Sequence, residues 1–112
     1  MMSEWIEIGD LEDVPRRGAR CVGVPGLRLA VFRTQQDQVF AIENRCPHRG
    51  GPLSEGIVHG ASVTCPLHNW AFDLETGRAQ GADAGEVRTF AVRIVAGRIQ
   101  LALGELMRVA AE

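Results

Sequence analysis

The stretch Thr89-Phe90-Ala91-Val92-Arg93-Ile94-Val95-Ala96-Gly97-Arg98-Ile99-Gln100-Leu101-Ala102-Leu103 decides the fold class. Apolar and polar side chains alternate from Thr89 to Val95 and again from Arg98 to Leu103, the two-residue period of β-strands. Ala96-Gly97 lies between the two runs, and the glycine supplies the positive φ of a tight hairpin turn. Working outward, Trp5-Ile6-Glu7-Ile8 has the same period, and Gln38 to Glu43 has it in part. Leu27 to Arg33 is a short apolar run behind the turn signal Val24-Pro25-Gly26. The polar turn Gln35-Gln36-Asp37 then joins it to the next run, as in a hairpin. Asp10 to Val14 reads as one helical turn stopped by Pro15, and Glu105 to Ala111 as a short terminal helix. No stretch between them is long or periodic enough for a helix. The pattern predicts an all-β chain of many short strands, sandwich- or barrel-like.

The chain has 112 residues, enough for one domain (1–112) and too few for two independent cores. Twelve basic and fourteen acidic residues give a net charge of −2, with the signs interspersed. No basic stripe or tail stands out, which argues against nucleic acid as a partner. All the basic residues are Arg, so Schiff-base lysine chemistry is excluded. No apolar run approaches the roughly 18–20 residues that span a bilayer, and the first residues lack the pattern of a signal peptide. The expectation is a soluble, cytoplasmic protein with no membrane partner. Three cysteines, one of them remote from the other two, do not read as a disulfide scaffold.

Residues 44–80 break the strand pattern and are expected to form a loop-bearing subdomain inserted into the β scaffold. Asn44-Arg45-Cys46-Pro47-His48-Arg49-Gly50-Gly51-Pro52 is turn chemistry throughout, and Cys65-Pro66-Leu67-His68-Asn69-Trp70 is a second such loop. Between them, His59-Gly60-Ala61 is flanked by Ile57-Val58 and Ser62-Val63-Thr64 and reads as the tip of a compact hairpin. Each loop offers one Cys and one His: Cys46-x-His48 and Cys65-x-x-His68. Two sulfur and two nitrogen donors suit a tetrahedral metal ion or a two-iron cluster. A C-x-H pair is cramped for one tetrahedral zinc, whereas two irons let a loop give its Cys to one and its His to the other.

With the residues from 49 to 64 as the gap, Cys46-Pro47-His48 and Cys65-Pro66-Leu67-His68 resemble the Rieske [2Fe–2S] signature. The resemblance implies a Rieske-type antiparallel β-sandwich whose two loops hold the cluster. It also implies Cys46 and Cys65 on one iron and His48 and His68 on the other. Two ferric ions, two sulfides and two thiolates sum to zero charge, so an electron is accepted more readily than by an all-Cys cluster. In respiratory Rieske proteins a disulfide ties the loops, and Ser and Tyr hydroxyls donate to the cluster and its ligand sulfur. The matching positions here are Gly51 and Leu67, and Trp70 and Phe72. Fewer donors imply the low end of the Rieske potential range.

The stretches Gly51 to Gly60, Cys65 to Trp70, Ala79-Gln80-Gly81-Ala82-Asp83 and Val87-Arg88-Thr89 further resemble the small subunit of assimilatory NAD(P)H-dependent nitrite reductase. That resemblance implies a large flavin- and sirohaem-containing partner subunit and the six-electron reduction of nitrite to ammonium. The alternative is a Rieske ferredoxin of an aromatic-ring dioxygenase, whose partners are a ferredoxin reductase and an oxygenase. The chain carries no Gly-rich dinucleotide fingerprint, so alone it is expected to be an electron carrier or assembly partner of an oxidoreductase and not itself a nitrite reductase.

Other residues are assigned structural places. His59 is expected at the surface, Cys21 as a small buried hydrophobe, and Trp70 and Phe72 as core beneath the loops. Asp73 is expected to bind backbone amides in the turn that follows it. Arg45 and Arg49 flank the first Cys/His pair as solvated surface or as contacts for a partner or anion.

Overall fold

The computed structural model describes residues 5–24, 27–46, 51–66, 70–80 and 85–102. Leu27–Arg33 is the strand on which it is built. Every residue in it is buried except Arg28, including both faces at Leu29, Ala30, Val31 and Phe32. Because strand side chains alternate, Leu29 and Val31 enter one apolar cluster with Val14, Phe90, Ile99 and Leu101. Ala30 and Phe32 enter another with Val58, Val63, Phe72 and Leu74. A strand buried on both faces needs a layer on each side, and the chain supplies one from each of two other sheets.

The strands are β1 (Trp5–Asp10), β2 (Gly18–Val24), β3 (Leu27–Arg33), β4 (Val39–Glu43), β5 (Ile57–His59), β6 (Ser62–Thr64), β7 (Ala71–Asp73), β8 (Thr89–Phe90), β9 (Val92–Val95) and β10 (Arg98–Ala102). The middle sheet has the order β2-β3-β4-β8, one outer sheet β1-β10-β9, and the other β5-β6-β7. All the pairings between these strands are antiparallel. Helical structure among the described residues is two single 3₁₀ turns, Leu11–Asp13 and Leu53–Glu55. The first is the turn expected before Pro15. The all-β, antiparallel reading holds.

The hairpin of β9 and β10 turns at Ala96 and Gly97, with φ of 52° and 78°. Two successive positive φ values match the right-handed twist of the flanking strands. The Gln35–Asp37 turn lies between β3 and β4 as expected. Thr89 to Val95, in contrast, is not one strand. It breaks at Ala91, so that β8 pairs with β4 and β9 pairs with β10. The expected terminal helix at 105–111 and the Pro25-Gly26 turn lie outside the described residues.

Among the described residues, one charged side chain is buried in the scaffold. Arg33 donates to the carbonyls of Val14 at 2.9 Å and Leu11 at 3.2 Å, and its guanidinium pairs with Asp37 at 2.8 Å. It thereby ties the first 3₁₀ turn to the β3–β4 turn and fills its donor set, as a buried cation requires.

Candidate cluster site

Two loops leave the layered scaffold, one from the middle sheet and one from the β5-β6-β7 sheet. The first follows β4; the second joins β6 to β7. Cys46 and Cys65 head them, and both are fully buried, in the same apolar cluster as Leu53, Val58, Val63 and Phe72. Their backbones close the loops in the same way. The Cys46 N–H donates to the Gly51 carbonyl at 2.8 Å, and the Cys65 N–H donates to the Trp70 carbonyl at 2.6 Å. In each loop the bond spans five residues, and a proline follows each cysteine. Neither cysteine forms a disulfide.

This arrangement suits an iron–sulfur cofactor. Thiolate sulfur is the donor that iron–sulfur clusters select, and here the apolar cluster backs both thiols on the protein side. The two loop-closing bonds stiffen the chain beside the sulfurs, and after Cys65 the fixed φ of Pro66 adds to this. His48 and His68 lie outside the described residues, as do Pro47, Arg49, Gly50, Leu67 and Asn69.

The layer under the loops is aromatic. Phe72 is fully buried and Trp70 half-buried against the same cluster, with ring centroids 6.3 Å apart and planes tilted by 42°. Both occupy the expected core places. Asp73 caps the next turn, its carboxylate accepting from the N–H groups of Glu75 at 2.8 Å and Thr76 at 3.1 Å. Gly77, at φ +78°, receives the returning chain: its carbonyl accepts from the Val87 N–H at 2.8 Å. His59 is exposed and shares a hydrogen bond of 2.8 Å with the Thr64 hydroxyl. Arg45 is exposed as well.

Cys21 corrects one expectation. It is exposed, because it sits on β2 at the edge of the middle sheet and meets polar groups at the rim. Its thiol donates to the Ser54 hydroxyl at 3.3 Å and accepts from the Asn44 amide at 3.6 Å. Asn44 and Ser54 were not singled out by the sequence pattern beyond general turn chemistry. Their pairing depends on the 3₁₀ turn Leu53–Glu55 folding back against β2 and β3, which no local signal announces.

Comparison with known proteins agrees with this geometry. The chain is 37% identical over 108 residues to the anthranilate 1,2-dioxygenase ferredoxin subunit of Burkholderia cepacia, covering 92% of this chain and 95% of that protein. It is 32% identical over 104 residues to the ferredoxin component of the naphthalene 1,2-dioxygenase system of Pseudomonas aeruginosa, covering 92% and 99%. Among solved structures, a candidate NADH-dependent nitrite reductase small subunit from Mycobacterium tuberculosis superimposes with a TM-score of 0.81 at 26% identity, covering 91% of this chain and 96% of that one. The Rieske-like [2Fe-2S] domain matches residues 4–102. The chain therefore belongs to the Rieske-like [2Fe-2S] domain family and is an electron-transfer domain with a Rieske-type cluster.

Proposed function

We propose that this protein is the small, electron-transferring subunit of an assimilatory NAD(P)H-dependent nitrite reductase. It works in the cytoplasm with a large flavin- and sirohaem-containing subunit that reduces nitrite to ammonium. Cys46 and Cys65 hold one iron and His48 and His68 the other, within a cluster-binding subdomain of residues 44–80 in a single domain of residues 1–112. The bound cluster supplies one-electron carrier chemistry. The protein's part is to present the four ligands, back them with apolar side chains and keep the loops stiff.

One observation carries the nitrite reductase reading. The stretches that resemble its small subunit are separate in sequence, at 51–60, 65–70, 79–83 and 87–89, and their described residues meet in one region. Gly51 to Gly60 leads into and through β5, and Cys65, Pro66 and Trp70 stand between β6 and β7. Ala79 bridges back to Phe72, Arg78 to Glu86, and Val87 to Gly77. The likeness thus follows a spatial unit around the loops, as a shared partner surface requires. The runner-up, a ferredoxin component of a ring dioxygenase, is favoured by full-length identities of 32% and 37% to such proteins.

Capture of the tagged chain from its native cells tests the choice. Co-purification of a large subunit with flavin and sirohaem absorbance is expected. Recovery of an oxygenase or its reductase instead would establish the runner-up.

A further inference from the structure

The two loops are closed alike at Cys46 and Cys65, but they are rooted differently. Immediately outside the second loop, Thr64 and Ala71 are ladder partners in the β6–β7 pair. That ladder fixes where the second loop begins and ends. Among the described residues the first loop has no equivalent strand pair: the chain leaves β4 in the middle sheet and reaches the 3₁₀ turn Leu53–Glu55. At its root stands the side chain of Asn44. The Asn44 Oδ1 accepts from the Ser54 N–H at 2.8 Å, and its Nδ2 donates to the Ser54 Oγ at 3.1 Å. The Asn44 backbone is itself anchored, its N–H donating to the Arg28 carbonyl at 2.9 Å.

We propose that Asn44 is a positioning residue for the cluster: its side-chain amide takes the place of the missing ladder pair and pins the first loop. A primary amide offers one acceptor and two donors, so it reproduces the give-and-take of a peptide group in a ladder. The outer Asn44–Ser54 closure and the inner Cys46–Gly51 closure are nested, and together they fix the direction in which Cys46 leaves β4. Cys21 adds a contact from β2 to both clamp residues and is secondary to them. The inference rests on Cys46 and Cys65 being cluster ligands, as argued above.

The test uses the cluster-loaded full chain. Iron release to an external chelator and the paramagnetic spectrum after reduction are measured for the wild type, Asn44→Leu, Asn44→Asp and Leu101→Ala. Asn44→Leu keeps the size and removes both hydrogen bonds with Ser54 along with the weaker one to Cys21. It is expected to release iron about tenfold faster, equivalent to about 1.4 kcal/mol, and to broaden the spectrum at equal iron content. Asn44→Asp keeps the acceptor for the Ser54 N–H, and the Ser54 hydroxyl can turn to donate to it. It is expected to restore release to within about twofold of wild type. Leu101→Ala weakens the opposite core and is expected to leave the line shape unchanged. If Asn44→Leu does not fold, Ser54→Ala takes its place, with release expected about threefold faster. Wild-type release and line shape in Asn44→Leu, or in Ser54→Ala where that stands in, would overturn the proposal. Equal broadening by Leu101→Ala would do so too. Absence of iron from the wild type would overturn the ligand assignment and this inference together, a result distinct from a loaded protein in which Asn44 is dispensable.

Discussion

Arg33 and Asp37 show how single residues hold the scaffold. Asp37 sits at φ +67° and takes hydrogen bonds from Arg16 at 2.9 Å and Arg33 at 2.9 Å. The Arg16 hydrogen bond, followed by that of Arg33, holds its carboxyl below the usual carboxylate range. A depressed folded pKa means that the unfolded chain binds more protons just below the ordinary value of about 3.9. The carboxylate's contribution is therefore complete above that value and is lost as pH falls through the folded one. Asp37→Asn is expected to be less stable than wild type near pH 7, with the difference vanishing in strong acid. Chemical unfolding across this pH range checks it. Arg33→Met would leave the buried Val14 carbonyl without its donor and is expected to cost about 1–3 kcal/mol, measured by the same unfolding. At this scale the sequence was a partial guide. Cys46 and Cys65 were legible because spacing and flanking prolines marked them, and both are buried heads of matched loops. Cys21 was misplaced, since a cysteine's composition says nothing about whether its strand lies at a sheet edge. Asn44 was invisible as a clamp, because its partner is set by tertiary folding.

Turns and strand breaks decide how the elements assemble. Ala96-Gly97 was readable because the hairpin is local and its turn chemistry is written in two residues. The break at Ala91 was not, since passing from one sheet to another leaves the two-residue alternation intact while the hydrogen-bond partners change. A pair of glycines separates local from tertiary demands. Gly77 and Gly97 share a φ of +78°, but a Cβ on Gly77 would collide with the Val87 carbonyl, whereas one on Gly97 meets open space. Gly97→Ala is expected to cost about 1–2 kcal/mol, the penalty of a left-handed conformation alone. Gly77→Ala is expected to cost clearly more, because it adds a backbone clash and disturbs the bond from Val87. Urea unfolding midpoints of the two variants, measured side by side, give the comparison. Equal costs would mean that the return of the chain past Gly77 is looser than the structure has it.

The whole molecule is a three-layer β scaffold in which two outer sheets cover a central one, with the loops headed by Cys46 and Cys65 against one of the two cores. Among the described residues, no helix is long and apolar enough to cross a membrane. The all-β architecture was legible because alternation recurs along most of the chain, while the assignment of strands to sheets depended on non-local pairing. With Trp70 and Phe72 at the places where hydroxyl donors stand in respiratory Rieske proteins, the potential is expected in the lower part of the range of about −150 to +300 mV. Direct voltammetry of the purified protein checks this. The central claim, that Cys46, His48, Cys65 and His68 hold a two-iron cluster, is tested most directly by metal and acid-labile sulfide analysis of anaerobically purified protein. The same preparation gives the paramagnetic spectrum after reduction. Two irons and two sulfides per chain, with a rhombic signal that Cys46→Ser and Cys65→Ser abolish, are the expected result. One tightly held zinc with no labile sulfide would contradict the claim.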